Sequence, residues 1–283
     1  MTLTIPTRDL PDGVRIPVLG FGTYKIEPTR TRRCVEAALS VGLRHIDTAQ
    51  MYGNESGVGQ ALASSGIDRA ELFITTKLNN GNHAPKRARD SFARSLDDLG
   101  LDYVDLFLIH WPLPTRYGGD FVSTWETLLE LCDDGLARAV GVSNFQIPHL
   151  ERIIAATGRP PAVNQIEAHP YFANNVVRQW CRDHEIVTEA WSPLGRGVVL
   201  TDPAVIAIAD RLGRTPAQVV LRWAIERGDI VFPKSTSPER IRENTRVFDF
   251  ELDTQARTRL DELDQGENGR QGSHPDTMDI IDR

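Results

Sequence analysis

Asp47, Tyr52, Lys77 and His110 are the residue types of a proton-transfer centre. A phenol has an ordinary pKa of about 10 and parts with its proton reluctantly near neutrality. An ammonium beside it favours the phenolate and lowers that value. A carboxylate next to the ammonium would hold it in place and keep it charged. A histidine nearby can donate to a carbonyl oxygen and orient it. The four together describe a general acid for a developing alkoxide. Each also has a plainer reading: Lys77 as a surface ion pair, Asp47 as a helix cap, His110 as a satisfied core histidine.

The elements that would bring them together follow from an alternation along the chain. Short apolar, β-branched runs recur at Val18–Thr23, Leu43–Asp47, Leu72–Lys77, Tyr103–His110, Ala139–Ser143, Ala162–Gln165, Ile186–Trp191 and Ile230–Lys234. Amphipathic stretches separate them: Thr29–Val41, Ser56–Ser64, Lys86–Leu99, Phe121–Cys132, Pro148–Thr157, Asn175–His184, Pro203–Leu212 and Pro216–Glu226. Gly100 and Gly158 stand where left-handed helix ends belong, and Thr215 with Pro216 reads as a helix start. Strands joined through helices must be parallel. Eight of them in this length predict a single (β/α)8 TIM barrel over residues 1–283. A doubly wound sheet is the alternative, but no GxGxxG follows the first strand. Gly53 to Gly59 has the wrong spacing and reads as a turn entering a helix. Asp12-Gly13, between Leu10 and Val14, predicts an added two-residue N-terminal β-hairpin. Ser237–Arg246 and Thr254–Leu263 predict extra C-terminal helices, and the polar tail from Gln265 reads as a surface loop.

In such a barrel the chemistry sits at the C-terminal ends of the strands. The residues closing the runs are Asp47, Lys77, His110, Ser143 with Asn144, Gln165, Trp191 with Ser192, and Lys234 with Ser235; Tyr52 lies just beyond the second run. All would converge on one mouth.

Composition narrows the ligands. The 283 residues carry 32 Lys and Arg against 39 Asp and Glu, so the net charge is 32 − 39 = −7. That balance argues against a nucleic-acid or anionic-membrane surface. Cys34, Cys132 and Cys181 are widely spaced with no CxxC, and no HxH or HExxH occurs, so neither a disulfide framework nor a metal site is expected. No leader pattern begins the chain and no apolar run approaches a membrane span, so a cytoplasmic protein is expected.

The strand-end motifs resemble those of the aldo-keto reductases. They are Leu19-Gly20-Phe21-Gly22-Thr23, His45-Ile46-Asp47-Thr48-Ala49 with Tyr52-Gly53-Asn54-Glu55, Thr76-Lys77-Leu78, and Ile109-His110-Trp111-Pro112. Gly141-Val142-Ser143-Asn144-Phe145, Asn164-Gln165-Ile166-Glu167, Ser192-Pro193-Leu194-Gly195 and Pro233-Lys234-Ser235 continue the series, from about Leu10 to about Leu263. The short loop after His110-Trp111 and the ending Ser273-His274-Pro275-Asp276 resemble the bacterial 2,5-diketo-D-gluconate reductase group.

The resemblance implies an NADPH-dependent carbonyl reductase, a monomer acting on small-molecule substrates. Tyr52 would be the proton donor, Lys77 and Asp47 its tuning pair, and His110 the orienting donor. Gly22, Thr23, Tyr24 and Asp47 would border the cofactor; Ser143, Asn144 and Gln165 would hold its carboxamide, and Trp191 would stack on the nicotinamide. Ser192, Pro193, Leu194 and Gly195 would wrap the pyrophosphate. Lys234, Ser235, Thr236 and Arg240 would take the 2′-phosphate, with Glu243 and Asn244 on the adenine. Tyr24, Asn79, His110 and Trp111 would line the substrate pocket. Asn79 stands where relatives often carry an aromatic, which predicts a wider, wetter pocket. Two other readings remain at this stage: a Schiff-base aldolase using Lys77, and a non-catalytic NADPH-binding regulatory protein.

Overall fold

The computed structural model describes residues 4–281; Met1 to Leu3 of the stretch read for a leader, and the last two residues of the tail, lie outside them. Strands β1 (Thr7–Asp9) and β2 (Arg15–Pro17) pair antiparallel as the expected hairpin. The connection is longer than the two residues that Asp12-Gly13 suggested. Pro11–Gly13 form a 3-10 turn, and Leu10 N donates to Val14 O at 2.7 Å. Leu10 and Val14 are both buried against the barrel, so the loop must reach far enough to turn both inward. Gly13 takes the left-handed conformation at φ +76°, as its place in the turn requires.

The eight apolar runs become β3 (Phe21–Gly22), β4 (His45–Asp47), β5 (Phe73–Leu78), β6 (Val104–Ile109), β7 (Ala137–Ser143), β8 (Val163–Glu167), β9 (Val187–Trp191) and β10 (Ile230–Val231). They form one parallel sheet in the order β10 to β3. Its two edges meet: Val231 N donates to Val18 O at 3.0 Å, and Gly20 N to Val231 O at 2.8 Å. These bonds close the barrel. They also explain why β3 is shorter than the run Val18–Thr23. At the other edge Pro233 has no N–H to give a ladder, and β10 stops short of Lys234.

Helices fill the crossovers: α1 (Pro28–Ser40), α2 (Glu55–Ser64), α3 (Pro85–Leu99), α4 (Val122–Asp133), α5 (Ile147–Thr157), α6 (Asn175–Asp183), α7 (Pro203–Leu212) and α8 (Pro216–Glu226). After the last strand come α9 (Pro238–Asn244) and α10 (Thr254–Asp261). Gly100 and Gly158 end α3 and α5 at φ +65° and +68°, and the Thr215 side chain accepts from Gln218 N at the start of α8.

Strand alternation splits the apolar side chains into two cores. Outward residues such as Ile46, Ile74, Phe107 and Val142 pack under the helices with Val58, Phe92, Leu128 and Val219. Inward residues near the strand starts, including Phe73, Leu106, Val163 and Ile230, pack with Leu10, Val14 and Ile16 of the hairpin. The hairpin therefore stoppers the end of the barrel opposite the mouth.

The tail is an irregular surface segment, as its composition suggested, but it is tied down. Gln271 N and Gly272 N donate to the two oxygens of Glu167 at 2.8 and 2.9 Å. Asn80 Nδ2 donates to Ile280 O at 2.7 Å, and Met278 packs with Trp111 and Leu113. The segment lies across the rim of the mouth. Among the described residues no helix is long and apolar enough to cross a membrane.

Candidate active site

Register sets the level of the site. Asp47 is paired with Thr75 and with Gly22, while Lys77 is paired with Leu108. Lys77 thus stands two residues beyond Thr75 on the same inward face, beside the end of β4. Lys77 Nζ donates to both Asp47 oxygens at 2.7 and 2.8 Å and to Thr48 O at 2.9 Å; Tyr52 Oη lies 3.3 Å away. Tyr52 reaches this point from the turn Gln50–Tyr52, and its ring sits 5.1 Å from that of Tyr24 and 5.7 Å from that of His110. The structure brings all four proton-transfer candidates together.

The electrostatics differ from the simplest expectation in one respect. Lys77 does pull the Tyr52 phenol toward ionisation, but burial outweighs it and Asp47 opposes it, so the phenol is pushed up to about 12. Tyr52 therefore keeps its proton throughout the neutral range. Burial alone would lower Lys77, yet Asp47 and Tyr52 more than offset that, and the ammonium is held above its usual value. Burial, then the Lys77 charge, drives His110 well below 6.5, so its ring is neutral. His110 Nδ1 is buried without a hydrogen-bond partner among the described residues.

The next layer links the site around the barrel. Asn144 adopts φ +64°; its Nδ2 donates to His110 O at 2.9 Å and to Ser143 Oγ at 3.0 Å, and its Oδ1 accepts from Trp191 Nε1 at 2.8 Å. Ser143 Oγ donates to Gln165 O at 2.9 Å. Gln165 Nε2 donates to Asp47 Oδ2 and to Glu189 Oε2, both at 2.9 Å. Ser143, Asn144, Gln165 and Trp191 are thus one bonded set.

The other residues expected to hold a dinucleotide lie along the same rim or beside it. Gly22 is required: a Cβ there would lie 2.6 Å from Phe232 O. Thr23 is buried with its hydroxyl on Asp47 O, and Tyr24 is exposed at the rim. Ser192 and Gly195 take φ +49° and +53° around Pro193 and Leu194, making a tight turn at the rim. Lys234 and Arg240 are exposed beyond β10; Ser235 is buried and accepts from Ser237 N at 3.1 Å, and Thr236 is half-buried. Asn244 is buried, but the Glu243 carboxylate already accepts from Thr215 Oγ1 at 2.7 Å. Asn79 is also partly committed: its Oδ1 accepts from Gly81 N at 3.1 Å, capping the turn Asn80–Asn82. Trp111 is buried under Met278. Among the described residues no group of three metal-ligating side chains occurs.

Three polar residues escaped the sequence reading. Glu189 and His45 are fully buried in the barrel, and Glu167 is buried at the mouth with His169 on its Oε1 at 3.1 Å. Period-two alternation was the available signal, because Glu189 precedes Trp191 by two positions and His45 precedes Asp47 by two.

Comparison with known proteins places the chain in a family. Residues 18–265 match the aldo/keto reductase family. An aldo-keto reductase of Mycolicibacterium vanbaalenii is 48% identical, covering 93% of each chain. Methylglyoxal reductase DkgA of Escherichia coli is 45% identical over 94% of this chain and 96% of its own. A solved Gox0644 mutant in complex with NADPH superposes with a TM-score of 0.93 at 41% identity, covering 98% of this chain and all of the other. A Bombyx mori aldo-keto reductase in complex with NADP gives 0.88 at 34%, covering 94% and 95% of the two chains. With its eight-stranded barrel, its bonded tyrosine–lysine–aspartate set and these likenesses, the chain belongs to the aldo/keto reductase family.

Proposed function

We propose that this aldo/keto reductase, an NADP-dependent oxidoreductase, reduces small aldehydes and ketones to alcohols with Tyr52 as the proton donor. The observation that carries the reading is the Lys77 ammonium, fixed by Asp47 and Thr48 O and lying 3.3 Å from Tyr52 Oη. NADPH, when bound, supplies the hydride to the carbonyl carbon. Gln165, Asn144 and Trp191 would hold its nicotinamide end, and Lys234 and Arg240 its 2′-phosphate.

The chain's own residues manage the proton. Tyr52, protonated at neutral pH, gives its hydrogen to the carbonyl oxygen as negative charge develops there. The phenolate left behind sits beside a cation that needs no rearrangement to stabilise it. Solvent at the rim returns the proton. Neutral His110 orients the carbonyl through a ring N–H. The same geometry disfavours a Schiff-base aldolase, which needs a free amine: Asp47 keeps Lys77 charged, and its donors are directed at Asp47 and Thr48 O. DkgA, a relative named for methylglyoxal reduction, suggests dicarbonyls as substrates. Sugar-derived dicarbonyls, ketoacids and aromatic aldehydes belong to the same range, in a monomeric enzyme of the cytoplasm.

The test follows NADPH oxidation with methylglyoxal, a ketoacid, a dicarbonyl sugar acid and an aromatic aldehyde. Tyr52→Phe keeps the ring packing, so NADPH should still quench Trp191 fluorescence while kcat falls about 100-fold or more. Undiminished turnover in that variant removes Tyr52 as the acid. Cofactor binding without turnover of any carbonyl, in the unaltered chain, favours a non-catalytic protein.

A further inference from the structure

Below the Tyr52–Lys77–Asp47 set the barrel axis is still polar. Val187, Glu189 and Trp191 are the inward residues of β9, and Glu189 is fully buried. Its Oε2 accepts from Gln165 Nε2 at 2.9 Å, and the same nitrogen donates to Asp47 Oδ2 at 2.9 Å. A primary amide has two N–H donors and one carbonyl oxygen. Both donors of Gln165 therefore point inward, one to each carboxyl group. The carbonyl Oε1 is what remains for a ligand at the mouth. Flipping the amide would set that oxygen against the Asp47 carboxylate, leaving two buried acceptors face to face.

We infer that Glu189 is a positioning residue which, with Asp47, locks the Gln165 amide so that its carbonyl oxygen faces the mouth as the acceptor for the carboxamide NH2 of the nicotinamide. The inference rests on the proposed use of NADPH at this mouth. The groups facing Glu189 are Asp47 and His45 from β4, Lys77 from β5 and Gln165 from β8; its partner in β10 is apolar Ile230. Burial and then the Asp47 charge push Glu189 up to about 8. A neutral acid at pH 7 still offers an accepting oxygen to Gln165 and adds no second anion beside Asp47. His45 Nε2 lies 3.7 Å from Glu189 Oε1 and 3.2 Å from Thr75 Oγ1, so the layer continues across the barrel. Room for that histidine depends on Gly20, where a Cβ would fall 2.7 Å from His45 Nδ1.

The experiment titrates the full chain with NADPH and, separately, with adenosine 2′,5′-bisphosphate, which lacks the nicotinamide. Glu189→Ala, and Glu189→Leu as a variant that refills the volume, should weaken NADPH about tenfold. The bisphosphate should bind as before. Glu189→Gln, which keeps an accepting oxygen, should restore NADPH affinity to within about twofold of the unaltered chain. Unchanged NADPH affinity in the Ala and Leu variants overturns the inference. So does an equal loss of both ligands, which would mark general damage to the barrel. These are binding readouts, so a chain that binds NADPH and reduces nothing would defeat the proposed reaction while leaving the role of Glu189 measured.

Discussion

Tyr52 shows how far a residue's chemistry can be read without a fold. Its partners were legible because Asp47, Lys77 and His110 each close an apolar run. The sign of the net shift was not. Lys77 lowers the phenol as expected, but the burial that opposes it arises from Tyr24, His110 and the surrounding barrel rim, which only folding assembles. Glu189 escaped for a related reason, since a glutamate within an apolar run gives no hint that a glutamine in the strand before it will need it. Arg240 allows a prediction at this scale. It is exposed beyond β10, with Lys234 at the same rim. A charge-assisted hydrogen bond to phosphate contributes roughly 1.5–3 kcal/mol. Arg240→Ala should therefore raise the Kd for NADPH at least about tenfold and leave NADH nearly unchanged. Equal losses for the two cofactors, measured by fluorescence titration, would detach Arg240 from the 2′-phosphate.

Elements with their own local signals were the most legible. Gly100, Gly158 and the Thr215-Pro216 pair marked helix ends that stand where expected, because capping is a short-range property. The C-terminal tail had no such signal. It is held by backbone N–H groups on a carboxylate more than a hundred residues away, and composition cannot show that. Burial alone would raise Glu167, but His169 and the two tail N–H groups outweigh it and hold the carboxylate below its usual range. Gly272 is the critical residue of this contact. A Cβ there would stand 2.4 Å from the Trp191 ring and 2.9 Å from Glu167 Oε2. Gly272→Ala must displace the ring or lift the tail. The expected result is a several-fold higher KM for NADPH, with a stability loss of no more than about 2 kcal/mol. Unaltered KM and unaltered Trp191 fluorescence would show that the ring does not feel the tail.

The barrel itself was legible because eight strand–helix alternations admit few topologies, and closure required only that the first and last runs meet. What the alternation hid is how many titratable groups the closed molecule buries. His45 is lowered to about 3 and His83 to about 4, both chiefly by burial, and His110 lies well below 6.5. Unfolded, these histidines take up protons near pH 6.5, whereas folded they do not. Their contribution to stability is therefore present above pH 6.5 and lost as pH falls toward about 4 and 3. Glu189 slopes the other way. Its folded value of about 8 exceeds the ordinary 4.5, so its contribution is present below pH 4.5 and lost as pH rises through about 8. His149 is lowered as well, and on the acid side these four histidines oppose three raised carboxyl groups, Glu189, Asp47 and Glu55; between pH 6.5 and 8 the histidines have finished and the slope of Glu189 remains. The melting temperature should peak near pH 6.5 and decline toward pH 8, and Glu189→Gln should flatten the alkaline decline. A calorimetric series in which the unaltered chain gains stability from pH 6.5 to 8 would contradict this account.

The hairpin that stoppers the barrel has a practical corollary. Its turn around Pro11–Gly13 and the tail around Asp279 and Ile280 lie at opposite ends of the molecule. A linker to a bead or electrode, attached on the hairpin side, would hold the molecule with its mouth toward the bulk solution. The same linker attached beside Asp279 would stand at the doorway and crowd arriving substrate.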